Sequence, residues 1–309
     1  MKIALLDTGV DLNHPDIQAS PESIKGKYSC VGETVGTAVH DLDGHGTFVT
    51  SLILDYAPDA EIYVAKIANT KPANARTVAM VMDMSFPTNS EQTVIDTKQA
   101  ITHAVDVWNV DIITMSFGFP SRAVEGYDKL AQAIKHAHYR DVLLFAAASN
   151  SGGQLGRAFP AREGEVVCVH STDALGNRSS FSPTAVPEDV NLATVGEAVE
   201  SAWPMHLCDA DEGTVEYTAC KSGTSYATPI MAGIAAFLLL YARLHLPESA
   251  HLLKGRRHMV ALLQRIAQKG QGTGLRDGYY YVDLSLFEDH LFGKDKLYID
   301  QVIRDVLHG

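Results

Sequence analysis

Short apolar runs alternate along the chain with longer segments of helical period, and this alternation restricts the fold more than any other feature. Ile3–Leu6, Ile62–Ile67, Ile112–Phe117, Val142–Ala148, Val166–Val169 and Val190–Val195 are the predicted strands, several of them apolar almost throughout. A strand covered on one face alternates apolar and polar residues, whereas a strand of a parallel sheet covered on both faces does not need to. Between the second and third runs Ile101, Ala104, Val105 and Trp108 fall on one helical face, opposite Lys98, Gln99 and Asp106. A second helix is predicted over Tyr127–Tyr139, with Leu130, Ile134 and Ala137 inward. Strand, helix, strand in this order requires right-handed crossovers, and so an α/β fold with a mostly parallel sheet between two helical layers. Active sites in such sheets collect at the carboxyl ends of the strands.

The rest of the chain is consistent with this plan. The run Ile230–Leu246 is shorter than the roughly 20 residues of a membrane span, is broken by Arg243 and His245, and reads as a buried helix. Segments 256–268 and 296–307 have helical period, separated by a strand-like patch at Tyr279–Val282, and Gly196–Lys221 reads as a long surface excursion. Lys and Arg number 25 against 37 Asp and Glu, a net charge of -12, which excludes nucleic acid and anionic membranes as main partners. The apolar stretch before Asp7 is too short for a secretion signal. Cys30, Cys168, Cys208 and Cys220 have neither zinc-site spacing nor the density of a disulfide scaffold, so reduced thiols and a cytoplasmic location are expected. Cys220 is expected to be a buried thiol.

Four residues fall where chemistry would be placed. Asp7 ends the first strand in Asp7-Thr8-Gly9; His45 sits between glycines in Asp43-Gly44-His45-Gly46-Thr47; Asn150 follows the strand Val142–Ala148; Ser225 lies in Ser222-Gly223-Thr224-Ser225, just before the most apolar helix. Taken singly, each reads better as a cap or turn residue. Together they supply a hydroxyl nucleophile, an imidazole to take its proton, a carboxylate to fix the imidazole tautomer and an amide donor for an oxyanion.

These segments resemble those of the subtilisin-like serine proteases. Asp7-Thr8-Gly9-Val10-Asp11 with His14-Pro15-Asp16-Ile17 is similar to the family's aspartate segment, Gly44-His45-Gly46-Thr47 to its histidine segment, and Ser222-Gly223-Thr224-Ser225 with Ala227, Pro229 and Ala232-Gly233 to its serine segment. Met115-Ser116-Phe117-Gly118, Ala147-Ala148-Ser149-Asn150 and Phe159-Pro160-Ala161 also have counterparts. The resemblance covers about residues 1–285 and implies one catalytic domain of three-layer subtilisin-like fold over 1–309, with 286–309 a helical extension. It implies a serine endopeptidase with Asp7, His45, Ser225 and Asn150 as catalytic residues. Peptide would bind along Ser116, Phe117 and Gly118 and beside Ala147, Ala148 and Ser149. A peptide or protein is the expected partner, with no cofactor and no metal; Asp41-Leu42-Asp43 is too short to supply the about six to eight oxygens calcium prefers. A peptide-binding module without turnover, and a ligase or macrocyclase using the same acyl-enzyme, are the alternatives.

Phe48 stands where many members have histidine, Ser51 and Ser149 where glycine is usual, and Tyr226 where methionine is common. The few residues ahead of Asp7 imply either a domain of a larger protein or a compact intracellular form. Segments such as 57–66 and 110–113 resemble those of intracellular, domain-type fungal subtilases.

Overall fold

The computed structural model describes residues 1–31, 36–70, 89–119, 126–153, 156–208, 217–267 and 275–309. In chain order the elements are β1 (Lys2–Asp7), the single turn α1 (Pro15–Gln18), β2 (Ile24–Ser29), α2 (His45–Tyr56), β3 (Glu61–Lys66), α3 (Asn89–Asp106), β4 (Ile112–Met115), α4 (Tyr127–Tyr139), β5 (Leu143–Ala147), β6 (Val167–Thr172), β7 (Leu192–Val195), β8 (Val199–Ala202), β9 (Thr218–Lys221), α5 (Thr224–His245), α6 (Arg256–Ala267), β10 (Leu275–Arg276), β11 (Tyr279–Tyr281) and α7 (Lys296–His308). Nine strands form one sheet in the order β10-β11-β7-β6-β5-β4-β1-β3-β2. Every pairing in it is parallel except β10 with β11.

Both faces of the sheet are covered, as the apolar strands require. Ile3 and Leu5 join a core with α2, α5, α6 and α7, while Ala4 and Leu6, their neighbours in sequence, join a second core with α3 and α4. Helix α5 is long and apolar enough to cross a membrane, but 72% of its apolar window is buried inside the fold. It is the buried helix expected from the sequence, and it starts six residues earlier, at Thr224. Ile299, Val302, Ile303 and Leu307 of α7 join the first core from its outer side, and α7 packs on α6, with Tyr241 of α5 donating to Asp300 at 2.9 Å.

Strand β1 has β3 on one side and β4 on the other. The chain therefore builds outward first in one direction and then in the other, and the crevice this leaves lies at the carboxyl end of β1, where Asp7 stands. At the opposite end Asp111 accepts hydrogen bonds from the Lys2 amide at 3.0 Å and Arg243 Nη2 at 2.8 Å, and pairs with Lys254 Nζ at 2.8 Å. This ties β1 and β4 to the end of α5. Burial alone would raise the Asp111 carboxyl, but these partners hold it below the usual range.

Some expectations need correction. Gly196–Lys221 is not simply an excursion: β8 and β9 pair antiparallel within it, and Ser201 and Ala202 are buried. Trp108 lies beyond the end of α3, half-buried with its ring near Tyr28, Tyr63 and His103. Cys220 is exposed on β9 rather than buried, because the short hairpin presents that position outward. The predicted run 256–268 ends at Ala267, with residue 268 outside the described residues.

His170 on β6 is fully buried, 3.2 Å from Ser182 Oγ and 3.6 Å from Cys168 Sγ. Burial and the guanidinium of Arg157 push its imidazole down to about 3, against the pull of Asp189. The unfolded chain takes up this proton near the ordinary value of about 6.5 and the folded chain does not. The stability that follows is fully present above that value and is lost as pH falls from it toward 3, by at most about 1.4 kcal/mol per pH unit. Thermal unfolding of the wild type should therefore steepen its pH dependence between about pH 6.5 and 4.5, and His170→Gln should flatten it. Parallel losses in the two proteins would refute this.

Candidate active site

Asp7 is the last residue of β1 and is 4% exposed. Its Oδ1 accepts from the Thr8 amide at 2.8 Å and from His45 Nδ1 at 2.7 Å. A carboxylate only accepts hydrogen bonds, so Nδ1 carries the proton and Nε2 of the neutral ring is the basic nitrogen. That Nε2 is buried and has no hydrogen-bond partner among the described residues. An orphaned acceptor in a buried position costs free energy, which marks the atom as poised for a proton supplied by something else.

His45 opens α2. The preceding Gly44 has φ +96, a left-handed conformation favouring glycine, and a Cβ there would lie 2.6 Å from the Trp203 ring. A Cβ on Gly46 would lie 2.1 Å from the Gly9 carbonyl oxygen. The glycines flanking His45 let β1 and α2 approach closely enough for the aspartate and histidine to meet.

Ser225 is the second residue of α5, at the partly positive end of that helix, and is 3% exposed. Its neighbours fix its place. Asn150 Oδ1 accepts from the Thr224 amide at 2.8 Å and the Thr224 hydroxyl at 3.0 Å, while the Tyr226 ring lies 5.5 Å from the His45 ring. Ser225 therefore stands between a residue held by Asn150 and a residue touching His45. The Asn150 oxygen is occupied, so Nδ2 is the donor it offers, 3.1 Å from where a Cβ on Gly223 would stand. Pro229, inside α5, has no N–H to offer the Ser225 carbonyl.

Ser116, Phe117 and Gly118 follow directly on β4. Phe119 and Phe159 exchange backbone hydrogen bonds at 2.7 and 3.0 Å, and the Ala158 amide donates to the Ala148 carbonyl at 2.7 Å. These bonds bring residues 116–119, 147–149 and 158–159 together as walls. Ser116 and Phe117 also line a small cavity with Asp7, Thr8, His45, Ile67 and Ala68. Of two further acids, Asp141 precedes β5 at the amino end of the sheet, and Glu163 accepts a hydrogen bond from Tyr127 at 2.7 Å.

The departures from the family pattern are accommodated in place. Phe48 is fully buried with its ring 4.7 Å from that of Tyr226. Burial and the charges of Asp7 and Asp43 push the Tyr226 phenol upward. Ser149 takes a φ of +146, which a side chain rarely adopts, and its hydroxyl bonds the Ser151 amide at 3.1 Å and hydroxyl at 2.9 Å. Sequence reasoning missed Thr8, Asp41, Lys66 and Thr224, which hold these groups from behind. The one signal for Asp41 was its place four residues before His45. Among the described residues no group of three or more His, Cys, Asp or Glu side chains could hold a metal ion.

The Asp7–His45 pair thus lies at the carboxyl end of β1, and Ser225 lies at the start of α5. The subtilase family model matches residues 1–279, and the chain belongs to that family. It is similar to subtilisin DY of Bacillus licheniformis, 28% identical over 251 residues, covering 77% of this chain and 76% of the relative. Thermitase of Thermoactinomyces vulgaris is 30% identical over 273 residues, covering 88% and 83%. Among solved structures, the prenylagaramide maturation protease PagA superposes with a TM-score of 0.60 at 25% identity, covering 84% of this chain and 82% of that one. The protein is thus a serine-type endopeptidase.

The strain at Ser149 is testable. Both Ser149→Gly and Ser149→Ala lose the hydroxyl bonds, but only glycine releases the unfavourable φ, so the glycine variant should be more stable than the alanine variant by about 1 kcal/mol or more in urea unfolding. Equal stability of the two variants would show that φ +146 costs nothing here.

Proposed function

We propose that the chain cleaves peptide bonds through an acyl-enzyme formed on Ser225. His45 Nε2 takes the proton from the Ser225 hydroxyl as it attacks the scissile carbonyl and returns it to the leaving amine, so each step balances in protons. Asp7 fixes the tautomer and stabilises the imidazolium, and Asn150 Nδ2 donates to the developing oxyanion. Water then releases the acid by the same exchange. The observation carrying this reading is a buried imidazole held at Nδ1 by a carboxylate at 2.7 Å, with Nε2 unpartnered among the described residues. The substrate is a peptide or protein lying as an added strand along Ser116–Gly118, since backbone pairing gives affinity with little sequence demand.

A fluorophosphonate should label Ser225 in the native protein and should leave Ser225→Ala unlabelled, with hydrolysis lost and the fold retained. Absence of labelling would favour a binding module, and products without net uptake of water would favour transfer to an amine. Asn150→Ala should lower kcat by about 10²–10³, the loss measured for the oxyanion asparagine of a subtilisin. An unchanged kcat would remove Asn150 from the site.

The walls formed by Phe117, Gly118, Ala147, Ala148, Ala158 and Phe159 carry no acid, which supports a preference for apolar residues before the cut. A peptide library read by mass spectrometry should show that preference. Dominant cleavage after Arg or Lys would contradict it.

A further inference from the structure

Behind the Asp7–His45 pair lie two buried charges that the reaction scheme does not use. Asp41 is fully buried. Its Oδ1 accepts from the Thr8 hydroxyl at 2.8 Å, the Gly44 amide at 3.0 Å and the Asp43 amide at 3.1 Å. Its Oδ2 accepts from the Thr47 amide at 2.8 Å and the Thr47 hydroxyl at 2.7 Å. Lys66, the last residue of β3 and the register partner of Asp7, is 4% exposed. Its Nζ donates to the Thr8 and His40 carbonyls, both at 2.7 Å.

Each charge therefore bridges the same two segments. One end of each bridge is Thr8, which donates its amide to Asp7 and accepts the Gly46 amide on its hydroxyl at 2.9 Å. The other end lies in residues 40–47, which carry His45. Neutral groups could make some of these bonds, but a buried carboxylate and a buried ammonium behind the pair also contribute to the potential at the imidazole. Burial pushes the Lys66 ammonium down while Asp41, Asp43 and Asp7 oppose that shift. Burial would raise Asp41, but the bonds from Thr47, Gly44 and Thr8 hold it below the carboxylate range.

We propose that Asp41 and Lys66 are positioning residues that hold the Asp7 and His45 segments together and set, with opposite signs, the pH at which the site acquires its base. This rests on the reaction proposed above. Other titratable groups act on the same region: Asp7 from β1, Asp43 from the loop before α2 and Tyr226 from α5, while the rings of His40 and His206, 4.5 Å apart, are exposed. Asp7 joins the two segments directly through His45, and Asp41 and Lys66 join them again from behind that pair.

The sign follows from electrostatics. Loss of the Lys66 cation favours the imidazolium, and loss of the Asp41 anion disfavours it. In a Ser225→Ala background, where no turnover is needed, the His45 imidazole titration followed by NMR should move up by about one pH unit in Lys66→Met. It should move down in Asp41→Asn, return toward the parent in the double variant, and stay in place in Lys66→Arg. In the active enzyme the acid limb of kcat/KM should follow the same directions. Shifts of one sign in both variants, or folded variants with no shift, would overturn the proposal. Should Asp41→Asn not fold, Lys66→Met against Lys66→Arg decides it alone, and equal midpoints for those two overturn it. If fluorophosphonate fails to label Ser225 the reaction is wrong, yet the NMR titration still reads the electrostatic claim.

Discussion

Two backbones touch at Gly9 and Gly46, and the site depends on that contact. A Cβ on Gly46 would fall 2.1 Å from the Gly9 oxygen, and one on Gly9 would fall 2.2 Å from the Val39 oxygen. No rotation of a side chain relieves such overlaps, because the opposing atoms are backbone. The approach brings the end of β1 against the start of α2, and only then can Asp7 reach His45 at 2.7 Å with both side chains about 3% exposed. In water the same pair would be worth little; buried, it fixes one tautomer and one ring orientation.

In the proposed reaction the serine reaches this pair from the other half of the chain, at the start of α5. Helix α5 lies across the sheet on the same face as α2, and its first turn is held by Asn150 through Thr224. The asparagine oxygen secures the helix start, and this leaves its nitrogen free of that duty for the oxyanion role proposed above. Far from the site, Asp111 clamps the other end of α5 through Arg243. A helix fixed at both ends and buried along most of its length has little freedom to slide, so the geometry at Ser225 is set by packing more than by local loops.

Where sequence pattern and core coincide, the fold was legible. The strands β1, β3, β4 and β5 are apolar because both faces are covered, and the glycines around His45 and the Ser222–Ser225 segment lie at the helix starts their sequence context implied. Strand β2 escaped notice because it is an edge strand, Ile-Lys-Gly-Lys-Tyr-Ser, with its lysines outward and only half its surface covered. The β8–β9 hairpin escaped because four-residue strands carry almost no period, and β8 is recognisable mainly by what it packs on, with the Ser201 hydroxyl reaching the Phe48 carbonyl at 3.0 Å.

Polar groups buried behind the site were the least legible. Lys66 at the end of an apolar strand reads as a cation reaching solvent, and only the fold shows its ammonium turned inward onto two carbonyls. Asp41 reads as a turn residue until five donors are found around it. The strained φ of Ser149 likewise has no signature in the residue itself. The most direct measurement of the whole account is a crystal structure with a peptide aldehyde. The account predicts a bond from Ser225 Oγ to the aldehyde carbon, His45 Nε2 within hydrogen-bonding reach of the Ser225 oxygen, and Asn150 Nδ2 about 2.7–3.1 Å from the tetrahedral oxygen. A bond to another residue, or an aldehyde oxygen turned away from Asn150, would contradict it.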